Sequence, residues 1–372
     1  MVASRLGTRR LRVRDALSRQ VHVNNAIARL RLRNQYLTQP APIDPGRTVA
    51  WFGAVQAQDY GAAKWALGVR MPGSTDAAVE RAFNDGEILR THVMRPTWHF
   101  VAPSDIHWML ELTAPRVHRA LAYGNRQLEL DPKTRVRAAK VFERSLAGVP
   151  CLTRAELGAR LARARIAAKG VRLALLTIYA ELEGVICSGP RRGAQFTYAL
   201  LAERAPATRR LPRDQAIAEL TRRYFQSHGP ATIRDCVWCT GLTTTDVKRG
   251  LDINRAQSMV EDGLMYWTVG EVHALRDRGS IVHLLPIYDE YLVAYRDLIA
   301  VPRGTASFGI LPQAVVVDGQ VAATWKATRA PDSVLVQVRA VDRLTTRVRR
   351  ALDDAVGGYS RFLNAPVSVA LG

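Results

Sequence analysis

Apolar residues recur at helical spacing in "VNNAIARLRLRNQYL" (23–37) and in "PIDPGRTVAWFGAV" (42–55), where Asp44 is placed to cap a helix and Pro45 to open it. A third helical run, "GAAKWALGV", ends at Met71-Pro72-Gly73, and a fourth, "TDAAVERAFNDG", stops at Gly86. The pattern then changes. "EILRTHVM" and "PTWHFVAP" are β-prone runs with Arg95-Pro96 between them. Helices followed by a two-stranded wing are the outline of a winged helix.

That order repeats. Thr153 with Glu156 makes a capping box that opens one helix, another is expected from about Val171 to Gly184, and two strands flank the turn "SGPRRG". A third copy runs through "QAIAELTRRYF", a Gly229-Pro230 break, a short helix from Thr232, a turn at Gly241 and a helix opened by threonines, closed by the hairpin "SMVEDGLMYWTVG". Residue identity between the copies is too low for a sequence repeat; they share only element order. Beyond Leu275 the runs become β-rich, with Asp318-Gly319 as a hairpin turn, and the chain ends in the amphipathic "VDRLTTRVRRALDDAVGGYSRFL". The expected class is therefore mostly α with β wings (α+β). Its expected parts are a basic tail (1–20), winged-helix units at 21–145, 146–210 and 211–275, and a β-containing C-terminal domain at 276–372 with a terminal helix.

Charge adds a partner. The 372 residues carry 53 Lys and Arg against 33 Asp and Glu, a net charge of +20, and such an excess attracts a polyanion. Arginine-rich composition alone is the competing explanation. Membrane surfaces also attract cations, but there is no basic amphipathic anchor, no run of about 18 to 20 apolar residues and no leader-like apolar region. A cytoplasmic, nucleoid-associated monomer on duplex DNA is expected; aromatic residues at 7% argue against a single-strand stacking platform. The four cysteines, Cys151, Cys187, Cys236 and Cys239, are too few and too unevenly placed for a disulfide framework. "CVWC" lacks a second ligand pair, so neither a metal nor a cofactor is expected.

The candidate chemistry lies in "GAVQAQDYGAAKWAL" (53–67). On a helix, Gln56 and Gln58 would point about 200° apart; only extended or irregular backbone lets both amides serve one ligand, so the preceding helix should end near Val55. An amide is neither a nucleophile nor a useful Brønsted base, but it donates and accepts hydrogen bonds and so positions something: a water, a sugar oxygen or a base edge. Two polar residues at a helix end are the bland alternative. Asp59 is the nearest candidate base. Arg90 and His92 alternate onto one face of a wing strand, and together with Arg95 and His99 they are candidates for phosphate contact or else solvated strand residues. Lys64 is a phosphate candidate or a surface lysine. Trp65 and Trp98 read as core, and Asp289 in "LLPIYDEY" reads as a structural hydrogen-bonding group before a catalytic one.

"AVQAQDYGAAKWAL", "RTHVMRPTWHFVAPSDIHWML", "LLPIYDEYLVAYRD" and "VVVDGQVAATWK", in that order between about residues 25 and 330, resemble the AlkZ/YcaQ type of winged-helix DNA glycosylase. The resemblance implies a tandem winged-helix fold on duplex DNA. It also implies monofunctional hydrolysis of the glycosidic bond of alkylated purines, including N7-alkylguanine, bulky adducts and, in some members, interstrand crosslinks. The family's catalytic motif is Gln, an apolar residue, then Gln or Asp, matched here by Gln56, Ala57 and Gln58. Gln at 58 resembles the branch associated with self-resistance to DNA-alkylating natural products. The chemistry agrees: an N7-alkylated purine is already cationic and leaves readily, so what remains is to orient water at C1′ and stabilise an oxocarbenium-like sugar. Such a site need not take the adduct into a snug pocket, and a crosslinked base cannot be flipped in the ordinary way. The rival is a non-catalytic winged-helix binder, a regulator or a drug-sequestering protein, for which the glutamines would be dispensable.

Overall fold

The computed structural model describes residues 26–41, 43–206, 210–270, 281–297, 313–340 and 343–372; the basic tail lies outside them. The first unit holds α1 (26–34), α2 (Pro45–Phe52), β1 (Ala54–Gln56), α3 (Tyr60–Gly68), α4 (Asp76–Asp85), β2 (Leu89–His92) and β3 (Trp98–Val101). Asp44 accepts from the Arg47 N–H at the start of α2, with Pro45 in its first turn. The helix ends at Phe52, three residues earlier than expected, because Gly53 takes a positive φ (81°) and turns the chain into β1. Gln56 thus lies in extended backbone. Strand order is β1-β3-β2, all antiparallel.

Two helices that the sequence reading did not separate follow, α5 (Ile106–Gln127) and α6 (Pro132–Leu146). The second unit then runs β4 (Leu152–Thr153), α7 (Arg154–Arg163), α8 (Val171–Leu182), β5 (Ile186–Arg192), β6 (Gln195–Leu200) and α9 (Leu201–Arg204). Thr153 and Glu156 form the capping box. The third comprises α10 (Arg213–Ser227), α11 (Ile233–Thr240), α12 (Thr244–Ile253) and the hairpin β7 (Gln257–Glu261) and β8 (Leu264–Thr268). Thr232 and Thr243 close capping boxes on α11 and α12. The four cysteines are free and buried.

The remaining elements are β9 (Val282–Leu285), α13 (Glu290–Val293), β10 (Ala314–Val317), β11 (Gln320–Arg329), β12 (Val334–Ala340), α14 (Thr346–Leu363) and β13 (Val367–Leu371), with the strands in the order β13-β12-β11-β10-β9. Asp318 and Gly319 both take positive φ (50° and 90°), as a tight two-residue hairpin demands. β13, parallel to β12, is an element the sequence reading did not contain.

Packing ties the ends of the chain together. Val49, Phe52, Phe83 and Phe100 share one core with Leu284, Val336, Tyr359 and Phe362, so the C-terminal sheet and α14 close over the first unit. A second core joins Trp108 and Met109 of α5 to Tyr224 and Phe225 of α10, bringing the third unit against the first. Each such side chain contributes about 1.5–3 kcal/mol on burial. The second unit has its own core, with Phe142, Leu157, Leu176 and Ile186, and its α8 and β5 lie against β2. Among the described residues no helix is long and apolar enough to cross a membrane.

Candidate active site

The stretch Gln56-Ala57-Gln58 sits where β1 ends and before α3 begins. Gln56 is buried and pairs with His99 across β1 and β3; Gln58 is exposed. The two are linked directly, the Gln58 N–H donating to Gln56 Oε1 at 2.8 Å, while Gln58 Oε1 accepts from the Trp98 N–H at 3.3 Å. Each amide carbonyl keeps a second lone pair, so both can still accept a proton from a water or a hydroxyl.

Three charged groups set this backbone. Glu290, at the start of α13 and wholly buried, accepts the Gln56 N–H at 2.6 Å from behind the strand. Burial by itself would raise its pKa, but His228, whose Nε2 is 3.4 Å from Glu290 Oε2, together with Arg95 and the Gln56 N–H, outweighs burial and holds the carboxyl down at about 2. Arg90 clamps the motif from the other side: Nε donates to the Ala57 carbonyl (3.0 Å) and an Nη to the Gln58 carbonyl (3.3 Å). Its guanidinium lies 4.2 Å over Trp98 and 4.7 Å over Phe196. Burial lowers its pKa to about 10, with Glu181 acting against the shift. The Asp59 carboxylate caps α3 by accepting from the Ala62 N–H.

His99 is fully buried. Burial and then the adjacent Arg95 depress its pKa to about 3, so the imidazole is neutral. Thr97 O can only accept from Nδ1 (2.9 Å) and Arg95 Nη2 can only donate to Nε2 (3.3 Å), which fixes the proton on Nδ1.

Several residues expected on a solvated, DNA-facing wing are therefore inside the protein. Arg90, His92 and His99 are 6%, 2% and 0% exposed: α8 and β5 of the second unit cover β2 and with it Arg90 and His92, while His99, on β3 and the other face of the sheet, is buried beside Arg95 and Glu290. His92 Nδ1 meets Glu181 Oε2 at 2.5 Å. Lys64 is buried too, its ammonium 2.8 Å from both Asp76 and Glu80, which leaves it no reach to a phosphate. Asp289 lies fully buried in a paired contact with Arg70 (2.7 and 2.8 Å) and also accepts from the Tyr291 N–H, so its oxygens are committed to structure. Of the wing cations, Arg95 alone keeps partial exposure. It lines a cleft of about 500 Å³ with Arg116, Arg234 and Arg296, all exposed, and the exposed Trp238. Among the described residues no acid lines this cleft. The sequence reading missed Glu290, Glu181 and the three further arginines. Glu290 follows Asp289 in an apolar block and offered a signal, whereas Glu181 and the arginines come together only in the tertiary fold.

Amides that position without titrating suit a sugar whose leaving group already carries positive charge, and the body around them is that of a winged-helix DNA glycosylase. Residues 49–362 match the family described as DNA glycosylase AlkZ-like, and the chain belongs to that family. It is 26% identical over 354 residues, 86% of this chain and 94% of the relative, to an interstrand DNA cross-link repair glycosylase of Streptomyces sahachiroi. Its fold is similar to that of Streptomyces sahachiroi DNA glycosylase AlkZ, with a TM-score of 0.76 at 21% identity over 93% of this chain and 99% of that one.

Proposed function

We propose that the protein is a monofunctional glycosylase that hydrolyses the N-glycosidic bond of alkylated purines in duplex DNA, acting as a monomer, with Gln56 and Gln58 as the catalytic pair. N7-alkylguanine is the substrate class, and the cross-link repair activity named for the Streptomyces relative extends it to crosslinked N7 sites. The carrying observation is the amide pair itself, held at a strand end by Glu290 and Arg90 with carbonyl lone pairs still free. As the C1′–N9 bond breaks, its electron pair passes to the purine and neutralises the N7 cation. A water held by the amide carbonyls then bonds to C1′ and its proton leaves to solvent. The carbonyl dipoles also face the developing positive charge on the sugar. Hydrolysis without an amine intermediate accords with Lys64 being tied to two carboxylates. The arginine-lined cleft beside Arg95 supports phosphate binding.

The test is release of free base from an N7-methylguanine duplex under single-turnover conditions, leaving an alkali-labile abasic site. Tight binding of that duplex with no base release by wild-type protein would instead favour the non-catalytic binder.

A further inference from the structure

Arg95 belongs both to the arginine-lined cleft and to the surroundings of the amide pair. It sits in the turn between β2 and β3, where Met94 takes a positive φ (62°). The turn between α11 and α12 packs against it: Gly241 also has a positive φ (73°), and a Cβ on it would lie 2.7 Å from the Met94 carbonyl oxygen. The backbone beside Arg95 is therefore held by the first and third units at once. Arg95 lines the cleft with Arg116, Arg234 and Arg296 and is partly exposed, yet both of its terminal nitrogens are engaged inside. Nη2 donates to His99 Nε2 at 3.3 Å. Nη1 lies 3.5 Å from the Val293 carbonyl oxygen, which also accepts the Trp238 indole N–H at 3.1 Å. Both contacts lead to Gln56. His99 is its partner across β1 and β3, and Val293 ends the single turn of α13 that Glu290 begins, the residue that accepts the Gln56 N–H at 2.6 Å.

We propose that Arg95 is a positioning residue for the amide pair: from the cleft that takes DNA phosphate it holds β3 and α13, the two elements to which Gln56 is tied, so that engagement of the DNA backbone and placement of Gln56 are set by one side chain. The inference rests on the glycosylase reading of Gln56 and Gln58 and deepens it. A guanidinium suits the task because its nitrogens are spread over a rigid plane and reach acceptors on two elements, while its charge and remaining N–H groups serve a phosphate. His99 is fitted to it. With its proton on Nδ1, donated to Thr97 O, the neutral ring presents a lone pair to Arg95, and the other ionisable groups around that ring are Glu290 of α13 and His92 of β2. An arginine that only neutralised phosphate would need neither internal acceptor. A lysine ammonium is a single point donor: it can meet a phosphate, but not at the same time acceptors on β3 and on α13.

The experiment measures duplex affinity beside single-turnover release of base from an N7-methylguanine duplex at saturating protein. Arg95→Lys keeps a positive charge in the cleft and gives up the hold on two elements. Its affinity should stay within a few-fold of wild type while its saturated rate falls by about 10- to 100-fold, the scale of a misplacement of about 1 Å at a reacting centre. Arg116→Ala, from the same cleft, supplies the contrast: its affinity should fall more than its saturated rate. On a Gln56→Ala background the Arg95→Lys loss should shrink to less than about 3-fold, because a residue that acts through Gln56 then has nothing left to place, whereas a general disturbance of the fold would carry over in full. A wild-type saturated rate in Arg95→Lys would overturn the proposal and leave the amide-pair reading standing. So would a loss that persists undiminished when Gln56 is already alanine. Absence of base release by the wild-type protein would overturn the glycosylase reading, and this inference with it.

Discussion

Gln56 and Gln58 should behave differently when each is replaced by alanine. Gln56 is buried and its side-chain oxygen is the acceptor for the Gln58 N–H. Gln56→Ala removes that bond and leaves a partly buried donor, a loss of about 1–2 kcal/mol of stability. Gln58 is exposed, and its side chain accepts only the long 3.3 Å bond from Trp98, so Gln58→Ala should change stability by less than about 0.5 kcal/mol. In the reaction both should matter. Loss of one preorganised group costs about 10² to 10³-fold in single-turnover excision, or about 3–4 kcal/mol of barrier. Gln56→Ala should fall at the lower-activity end, because it also frees the backbone that places Gln58. The double variant should be far less than additive, since two groups that hold one water fail as a unit.

Thermal melts report the stability difference, and base release from an N7-methylguanine duplex, measured beside gel-shift affinity, reports the rate. Affinity should stay within a few-fold of wild type in both. Gln58→Asp keeps an acceptor and adds a negative charge beside the developing cation, so it should retain measurable excision. Wild-type excision by Gln58→Ala would refute the mechanism, and equal destabilisation by the two alanines would refute the asymmetry that the Gln56 to Gln58 hydrogen bond requires.

Asp289→Ala leaves the Arg70 guanidinium buried with only Ala66 O and the Gln35 side chain as acceptors; the cost should be about 3–5 kcal/mol, and an unchanged melting midpoint would contradict it. His99 and His283 titrate near 3 and 4 because burial disfavours their charged forms, against 6.5 when unfolded. The unfolded chain therefore binds the extra protons below pH 6.5, and stability should drop as pH falls towards 4, by up to about 1.4 kcal/mol per pH unit for each histidine. Denaturation midpoints from pH 7 to 4 check this, and His283→Gln should flatten the slope. Arg116→Ala and Arg234→Ala should each weaken binding to damaged and undamaged duplex alike and reduce the slope of log affinity against log salt by about 1, from about −5 to −9 in wild type if ~6 to 10 phosphates are engaged. Selective loss on damaged DNA would place those arginines at the lesion instead.

What could be read from the sequence was decided within a few residues. Asp44 with Pro45, Thr153 with Glu156, Thr232, Thr243 and Asp318-Gly319 each satisfy or turn a backbone that is adjacent in sequence, and each does so in the fold. The i, i+2 spacing of Gln56 and Gln58 placed the helix end before them on the premise that both amides serve one ligand, and Gly53 ends it three residues sooner. Asp131-Pro132 carried an equally local signal for the start of α6 and was available to be read. β13 was not: its partner is β12, reached across the whole length of α14 and paired in parallel, and no short-range pattern encodes that choice.

Arg90 and His92 fail as a surface prediction for one tertiary reason. A two-stranded wing with arginine and histidine at alternate positions is a solvated ribbon if nothing lies on it, but here β2 is buried along its whole length under α8 and β5. Burial turns Arg90 and His92 from ligands for solution anions into groups that need an internal partner, Glu181 for His92 and the Ala57 and Gln58 carbonyls for Arg90, while His99, on the other face of the sheet, is buried beside Arg95 and Glu290 in its neutral state. β6, paired with β5 of the same unit, brings Phe196 and Tyr198 up to Trp98 and so lines a cavity beside Gln58. The second unit thus does two things at once. It removes the wing from phosphate contact, a role the proposed function gives instead to Arg95, Arg116, Arg234 and Arg296, and it converts the wing's cations into the rigid backing that the proposed amide pair would need, since amides that cannot be tuned by pKa can be tuned only by position.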